Sequence, residues 1–115
     1  RACDTGCCGV CTILIDGKPI LSCSYFAVRA ENKHITTIEG ISDEEKKLGE
    51  LLVSEGAEQC GYCSPGLILT VIAMKNELKN PTKRDISQYL TGNLCRCTGY
   101  VGQLRGIMKY MEVKE

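Results

Sequence analysis

Cys60-Gly-Tyr-Cys63-Ser-Pro-Gly-Leu67-Ile-Leu-Thr-Val-Ile-Ala-Met74 joins a pair of thiols directly to the start of a helix. Ser64 reads as a cap, and Pro65 falls in the first turn, where its missing N–H leaves nothing unpaired. Leu67, Ile68, Val71, Ile72 and Leu78 follow in a strongly apolar run, which ends before Asn80-Pro81. This helix is predicted to be the buried one. Its longest apolar stretch, Leu67 to Met74 interrupted by Thr70, is far below the ~20 residues that span a bilayer. No membrane crossing is expected.

Helical punctuation continues on both sides. Ser42 with Glu45 forms a capping box for a helix whose Leu48, Leu51 and Leu52 share a face, with Gly56 at a left-handed stop. Thr82 with Asp85 opens a third helix carrying Ile86, Tyr89 and Leu90 and halted at Gly92. A fourth, near 101–112, places Val101, Leu104, Ile107, Met108 and Met111 on one stripe, and its Gly102 and Gly106 predict close helix packing. Residues 43–115 therefore read as a small four-helix bundle.

Before residue 43 the period changes. Thr12 to Asp16 is a β-branched run closed by a turn at Asp16-Gly17; Lys18 to Leu21 resumes an extended segment, and Ile35 to Ile38 makes another short strand. Tyr25 to Ala30 between them reads as a helical turn. Residues 1–42 are thus a small, mostly β unit, and the fold class is α+β.

With nine cysteines, five tyrosines and one phenylalanine in 115 residues, the chain has a thin conventional core, and cross-links or metals are expected. Lys plus Arg and Asp plus Glu number 14 each, so no net field favours nucleic acid or an anionic membrane. A disulfide scaffold is the compositional rival. The odd cysteine count and the absence of an Asn-X-Ser/Thr acceptor weigh against it.

Spacing is more informative. Cys3, Cys8 and Cys11 stand as Cys-x4-Cys-x2-Cys, the plant-type 2Fe-2S run. Cys23 follows the predicted hairpin, which returns the chain to the site. Gly6 and Gly9 sit where the backbone must approach the cluster closely. The second set, Cys60, Cys63, Cys95 and Cys97, lies at helix junctions, where helix N-termini favour a negatively charged cluster. Two 2Fe-2S clusters on these eight thiols are expected. A structural zinc site on each set is the alternative.

The blocks Cys3-Asp-Thr-Gly-Cys-Cys-Gly-Val-Cys11-Thr, Asp16-Gly-Lys-Pro19 with Ser22-Cys23, Gln59-Cys-Gly-Tyr-Cys-Ser-Pro-Gly66 and Gly92-Asn-Leu-Cys-Arg-Cys-Thr-Gly-Tyr100 resemble the small iron–sulfur subunit of the molybdenum hydroxylases, the xanthine dehydrogenase, aldehyde oxidase and carbon monoxide dehydrogenase family. The resemblance runs the whole length. It implies a ferredoxin-like β-grasp piece over 1–42, N-terminally incomplete because relatives carry preceding strands and a helix, followed by a helical 2Fe-2S domain over 43–115. It implies a cytoplasmic assembly with a large molybdopterin-binding subunit and an FAD-binding subunit, in which this chain relays electrons from molybdopterin toward FAD without a substrate site of its own. It also implies that Gln59 and Cys97 approach the molybdopterin. Cys7 departs from the family's pattern; Cys8 is assigned as ligand because it preserves the spacing and the following Gly9. A free-standing ferredoxin-like carrier and a zinc-stabilised interaction module are the alternatives.

Other residues read as ordinary. His34 is a solvated turn residue, Tyr62 and Tyr100 shield the second site, Lys79, Lys83 and Arg84 form a solvated face, and Arg96 is either a sulfur or partner contact or a surface ion pair.

Overall fold

The computed structural model describes residues 1–114, and of residues 42, 44 and 45 the backbone alone. Three strands, β1 (Thr12–Ile15), β2 (Lys18–Leu21) and β3 (Ile35–Thr36), precede four helices, α1 (Ser42–Ser54), α2 (Ser64–Glu77), α3 (Lys83–Tyr89) and α4 (Val101–Tyr110). Short 3-10 turns occupy Ser22–Ser24, Ala27–Ala30, Ile38–Gly40 and Leu90–Gly92.

The sheet order is β2-β1-β3, with β1 antiparallel to both neighbours. Ile15 pairs with Lys18, so Asp16 and Gly17 alone make the turn, both at positive φ, the conformation whose twist suits a two-residue hairpin. The third strand is shorter than the four residues expected. Only Ile35 and Thr36 find partners, Ile15 and Leu14, and Ile38 already begins a 3-10 turn. Asp16 anchors this short strand: its amide donates to the His34 carbonyl at 2.8 Å, and its Oδ1 accepts from the His34 amide at 3.0 Å. The His34 residue itself is exposed, as the sequence predicts.

Helix α2 is buried continuously from Gly66 to Met74. A helix apolar on every side must be covered on every side, and α2 packs against β1 and β2 as well as α1. Leu14 of β1 accordingly belongs to the same buried cluster as Leu48, Leu52, Met74, Ile86 and Ile107 of the helices. Ser64 does not cap this helix. Cys63 holds the N-cap position, and the Ser64 hydroxyl, one residue inside the helix, donates to Glu58 Oε1 at 2.5 Å.

The other helix boundaries follow ordinary chemistry. Gly56, at φ +65°, ends α1 in a Schellman motif, with Ala57 N–H donating to Leu52 O at 2.9 Å and Gly56 N–H to Val53 O at 3.0 Å. Thr82 and Asp85 form the reciprocal capping box at α3, the Asp85 amide donating to Thr82 Oγ1 at 3.2 Å and the Thr82 amide to Asp85 Oδ2 at 2.8 Å. The box expected of Ser42 and Glu45 lies outside the described residues.

Gly102 and Gly106 let α4 lie against the C-terminal end of α1. A Cβ at Gly102 would stand 2.7 Å from the Glu55 carbonyl oxygen, and one at Gly106 3.2 Å from that of Leu51. Glu55 then ties the two helices together through Arg105 Nε at 2.8 Å and the ammonium of Lys109. The predicted α4 stripe is partly displaced: Val101 is 62% exposed, whereas Gln103 and Tyr110 are buried. Among the described residues no helix is long and apolar enough to cross a membrane.

Candidate metal centre

The first set of thiols lies on the loop before β1 and on the 3-10 turn after β2, so the hairpin sets the distance between them. The Ser22 amide and hydroxyl both donate to the Cys11 carbonyl, at 3.2 and 2.8 Å, and this closes the loop on itself. Burial opposes ionisation of Cys11, but the neighbouring Cys23 and the Ser22 hydroxyl outweigh it and lower that thiol, and Cys8 lies beside Cys3 in the same way. Hydrogen bonds from the Thr5 side chain and backbone, then from the Cys7 amide, bring the Cys3 thiol down to about 5. Backbone N–H groups aimed at sulfur favour the thiolate, the form that binds iron. Cys7 is exposed and turned to the Thr5 hydroxyl at 3.2 Å.

The second set comes from the loop between α1 and α2 and from the loop between α3 and α4. Cys60 and Cys97 bring their sulfurs to 3.6 Å, and Cys63 and Cys95 lie close enough to influence each other's ionisation. Burial, then the neighbouring Cys95 and Glu58, push the Cys63 thiol up to about 11. Burial also opposes ionisation of Cys95, but hydrogen bonds from the Thr98 hydroxyl and from the Cys97 and Thr98 amides outweigh it and bring that thiol to about 7. The Thr98 hydroxyl lies 3.1 Å from Cys95 Sγ, and the Cys95 amide donates to the Tyr100 hydroxyl at 3.2 Å. Tyr100 sits in the left-handed region at φ +70°, which turns the chain into α4.

All nine cysteines are free thiols, and eight of them form four side-chain pairs: Cys3 with Cys8, Cys11 with Cys23, Cys60 with Cys97 and Cys63 with Cys95. Among the described residues no three or more His, Cys, Asp or Glu converge as a site for one metal ion. Pairing fits a 2Fe-2S cluster, in which each of two irons takes two cysteine thiolates. A buried thiol held at a high pKa is deprotonated on coordination.

The two sets meet at a close backbone junction. Gly9, at φ +76°, has no room for a side chain: a Cβ would stand 2.5 Å from the Gly92 carbonyl oxygen. A Cβ on Gly66, at the start of α2, would stand 2.1 Å from the Gly9 carbonyl oxygen. Cys8, Cys63 and Cys95 line one small cavity at this junction, with Leu67, Asn93, Leu94 and Gln103. Asn93 steadies its wall by donating from Nδ2 to the buried Thr70 hydroxyl at 3.2 Å.

Gln59, Cys60 and Cys97 are all exposed. Tyr62 and Tyr100, on either side of the second set, are themselves 57% and 46% exposed. Tyr62 reaches the segment before β1, donating to the Arg1 carbonyl at 2.7 Å. Thr98 and Gln103 were not among the predicted site residues. Nothing in the spacing distinguishes Thr98, whereas Gln103 is the polar member of an otherwise small or apolar helix face.

Residues 37–108 match the [2Fe-2S] binding domain family. The xanthine dehydrogenase iron-sulfur-binding subunit of Escherichia coli O157:H7 is 47% identical over 108 residues, covering 87% of this chain and 65% of that protein. The nicotinate dehydrogenase small FeS subunit of Eubacterium barkeri is 42% identical over 103 residues, covering 88% and 66%. Quinoline 2-oxidoreductase from Pseudomonas putida 86 superposes with a TM-score of 0.87 at 40% identity, covering 97% of this chain and 72% of that one. The chain belongs to the [2Fe-2S] binding domain family and, within it, to the small iron–sulfur subunits of the molybdenum hydroxylases. It spans less than two thirds of the length of these two dehydrogenase subunits.

Proposed function

We propose that this chain is the electron-relay subunit of a molybdenum-flavin hydroxylase, placed between a large molybdopterin-binding subunit and an FAD-binding subunit in a cytoplasmic assembly. One 2Fe-2S cluster is held by Cys3, Cys8, Cys11 and Cys23 in a ferredoxin-like β-grasp piece over 1–42, and the other by Cys60, Cys63, Cys95 and Cys97 in a helical bundle domain over 43–115. When bound, each cluster supplies a one-electron acceptor and donor.

The observation that carries this reading is the four facing thiol pairs on two loop systems joined at one backbone junction. The chain's residues have two tasks there. Thr5, Thr98 and the backbone amides donate to sulfur and favour thiolate. The interlocked glycines let the two ligand loops pack without intervening side chains. Gln59 and Cys97, solvent-accessible beside Cys60, face the molybdopterin-binding partner. The related dehydrogenase chains are named as subunits, which favours this reading over a free-standing carrier.

Anaerobic purification tests it. The holoprotein is expected to be brown, with about four irons per chain and two distinguishable EPR signals after reduction. Pull-down from the native source is expected to recover a molybdopterin-containing chain. A colourless, zinc-rich preparation sinks the cluster reading; intact clusters without that partner sink the subunit reading alone.

A further inference from the structure

Three polar side chains are buried among the described residues: Thr12, Thr70 and Gln103, all at 5–6% exposure. Both threonines satisfy their hydroxyls locally, Thr12 on the Gly9 carbonyl at 2.7 Å and Thr70 on the Gly66 carbonyl at 2.8 Å. Gln103 behaves differently. From the first turn of α4 its Nε2 reaches across to Cys63 Sγ, 3.7 Å away, at the wall of the small cavity that Cys8 and Cys95 also line. A primary amide is costly to bury without a partner, and here the acceptor is a sulfur atom.

We infer that Gln103 sets the reduction potential of the cluster held by the second set of cysteines, through an N–H···S hydrogen bond to Cys63; this rests on the two-cluster reading above. Reduction adds one electron, and part of the added charge falls on the ligand sulfurs. A donor fixed on one sulfur stabilises the reduced form more than the oxidised one, so it raises the potential. Gln103 acts through that sulfur and is a positioning residue rather than a catalytic one. The cluster on the first set lies across the junction from this bond, and its potential is expected to stay unchanged.

The test is a dithionite titration of the holoprotein in its native assembly, followed by EPR, comparing wild type with Gln103→Met and Gln103→Leu. Methionine nearly preserves the volume and removes the donor. The signal that Cys63→Ser abolishes is expected to fall in midpoint in both variants, by about tenfold in the reduced-to-oxidised ratio at fixed potential, or about 59 mV for a one-electron couple. The other signal is expected to hold its midpoint, which a general loosening of the fold would not allow. Unmoved midpoints with both signals present overturn the inference, and so does failure of both variants to assemble the cluster, which would make Gln103 a packing residue. A wild-type protein lacking two signals overturns the cluster reading itself, before any variant is compared.

Discussion

The backbone amide of Leu94 donates to the carbonyl oxygen of Cys8 across 2.9 Å. The two residues are far apart in the chain, and each stands at one set of thiols: Cys8 belongs to the first set, and Leu94 directly precedes Cys95 of the second. The bond is made by the backbone, while the Leu94 side chain is 46% exposed. Alanine at Leu94 keeps the donor, whereas proline deletes it and leaves the carbonyl beside a crowded junction without its partner. Leu94→Pro is therefore expected to lower stability by about 1–3 kcal/mol relative to Leu94→Ala. Thermal unfolding of the two holoproteins measures the difference, and equal melting temperatures would refute a structural role for this bond.

Adjacent cysteines at positions 7 and 8 offer a direct test of ligand choice. The Cys8 side chain lies against Cys3, while Cys7 is exposed and faces Thr5. Cys7→Ser is expected to retain both EPR signals and full iron content. Cys8→Ser is expected to lose one signal, and Cys63→Ser the other. Loss of iron in Cys7→Ser would reverse the assignment.

Packing between α1 and α4 is tested at Leu52, which is fully buried and packs beneath Gly106 where the two helices cross. Leu52→Ala is expected to cost about 2–5 kcal/mol, because tightly packed helix backbones cannot collapse into the space. Its neighbour Val53 is 63% exposed on the same helix. Val53→Ala is expected to change stability by less than about 0.5 kcal/mol in the same urea titration.

Acid sensitivity follows from Glu55. Hydrogen bonds from Lys109, then from Arg105, hold its carboxyl below the usual glutamate range. A carboxylate with a depressed folded-state pKa contributes stability that is fully present above its unfolded value, about 4.3, and is lost as pH falls through the folded value. Wild type is therefore expected to exceed Glu55→Gln in melting temperature at pH 6, with the gap closing below about pH 4.3. A gap that stays constant down to pH 3 would mean that Glu55 acts by packing rather than by charge.

Much of the architecture is legible in the residues themselves. Asp16-Gly17 between β-branched runs specifies the hairpin, Thr82 with Asp85 specifies the α3 start, and Gly56 specifies the α1 stop. Each is a local rule: the preferred backbone angles and the hydrogen-bond partner lie within a few residues. The long apolar run from Leu67 also identifies the buried helix. Local rules were less dependable at Ser64 and Val101. Whether a helix-start serine caps or donates elsewhere depended on Glu58, and whether an apolar residue is covered depended on what α4 packs against.

The sequence by itself determined the family, through the blocks that surround the cysteines, and it grouped those cysteines into two sets by spacing, because spacing along a loop is a one-dimensional property. Only the tertiary structure decided which sulfur faces which, how Gly9 and Gly66 lock the two loops together, and that Gln103 reaches Cys63. Apart from the sulfur pairs of the first set, which the loop before β1 and the hairpin bring together, those contacts join residues tens of positions apart, and their geometry is set by how α2 and α4 pack against the rest of the chain rather than by any preference of the residues that touch.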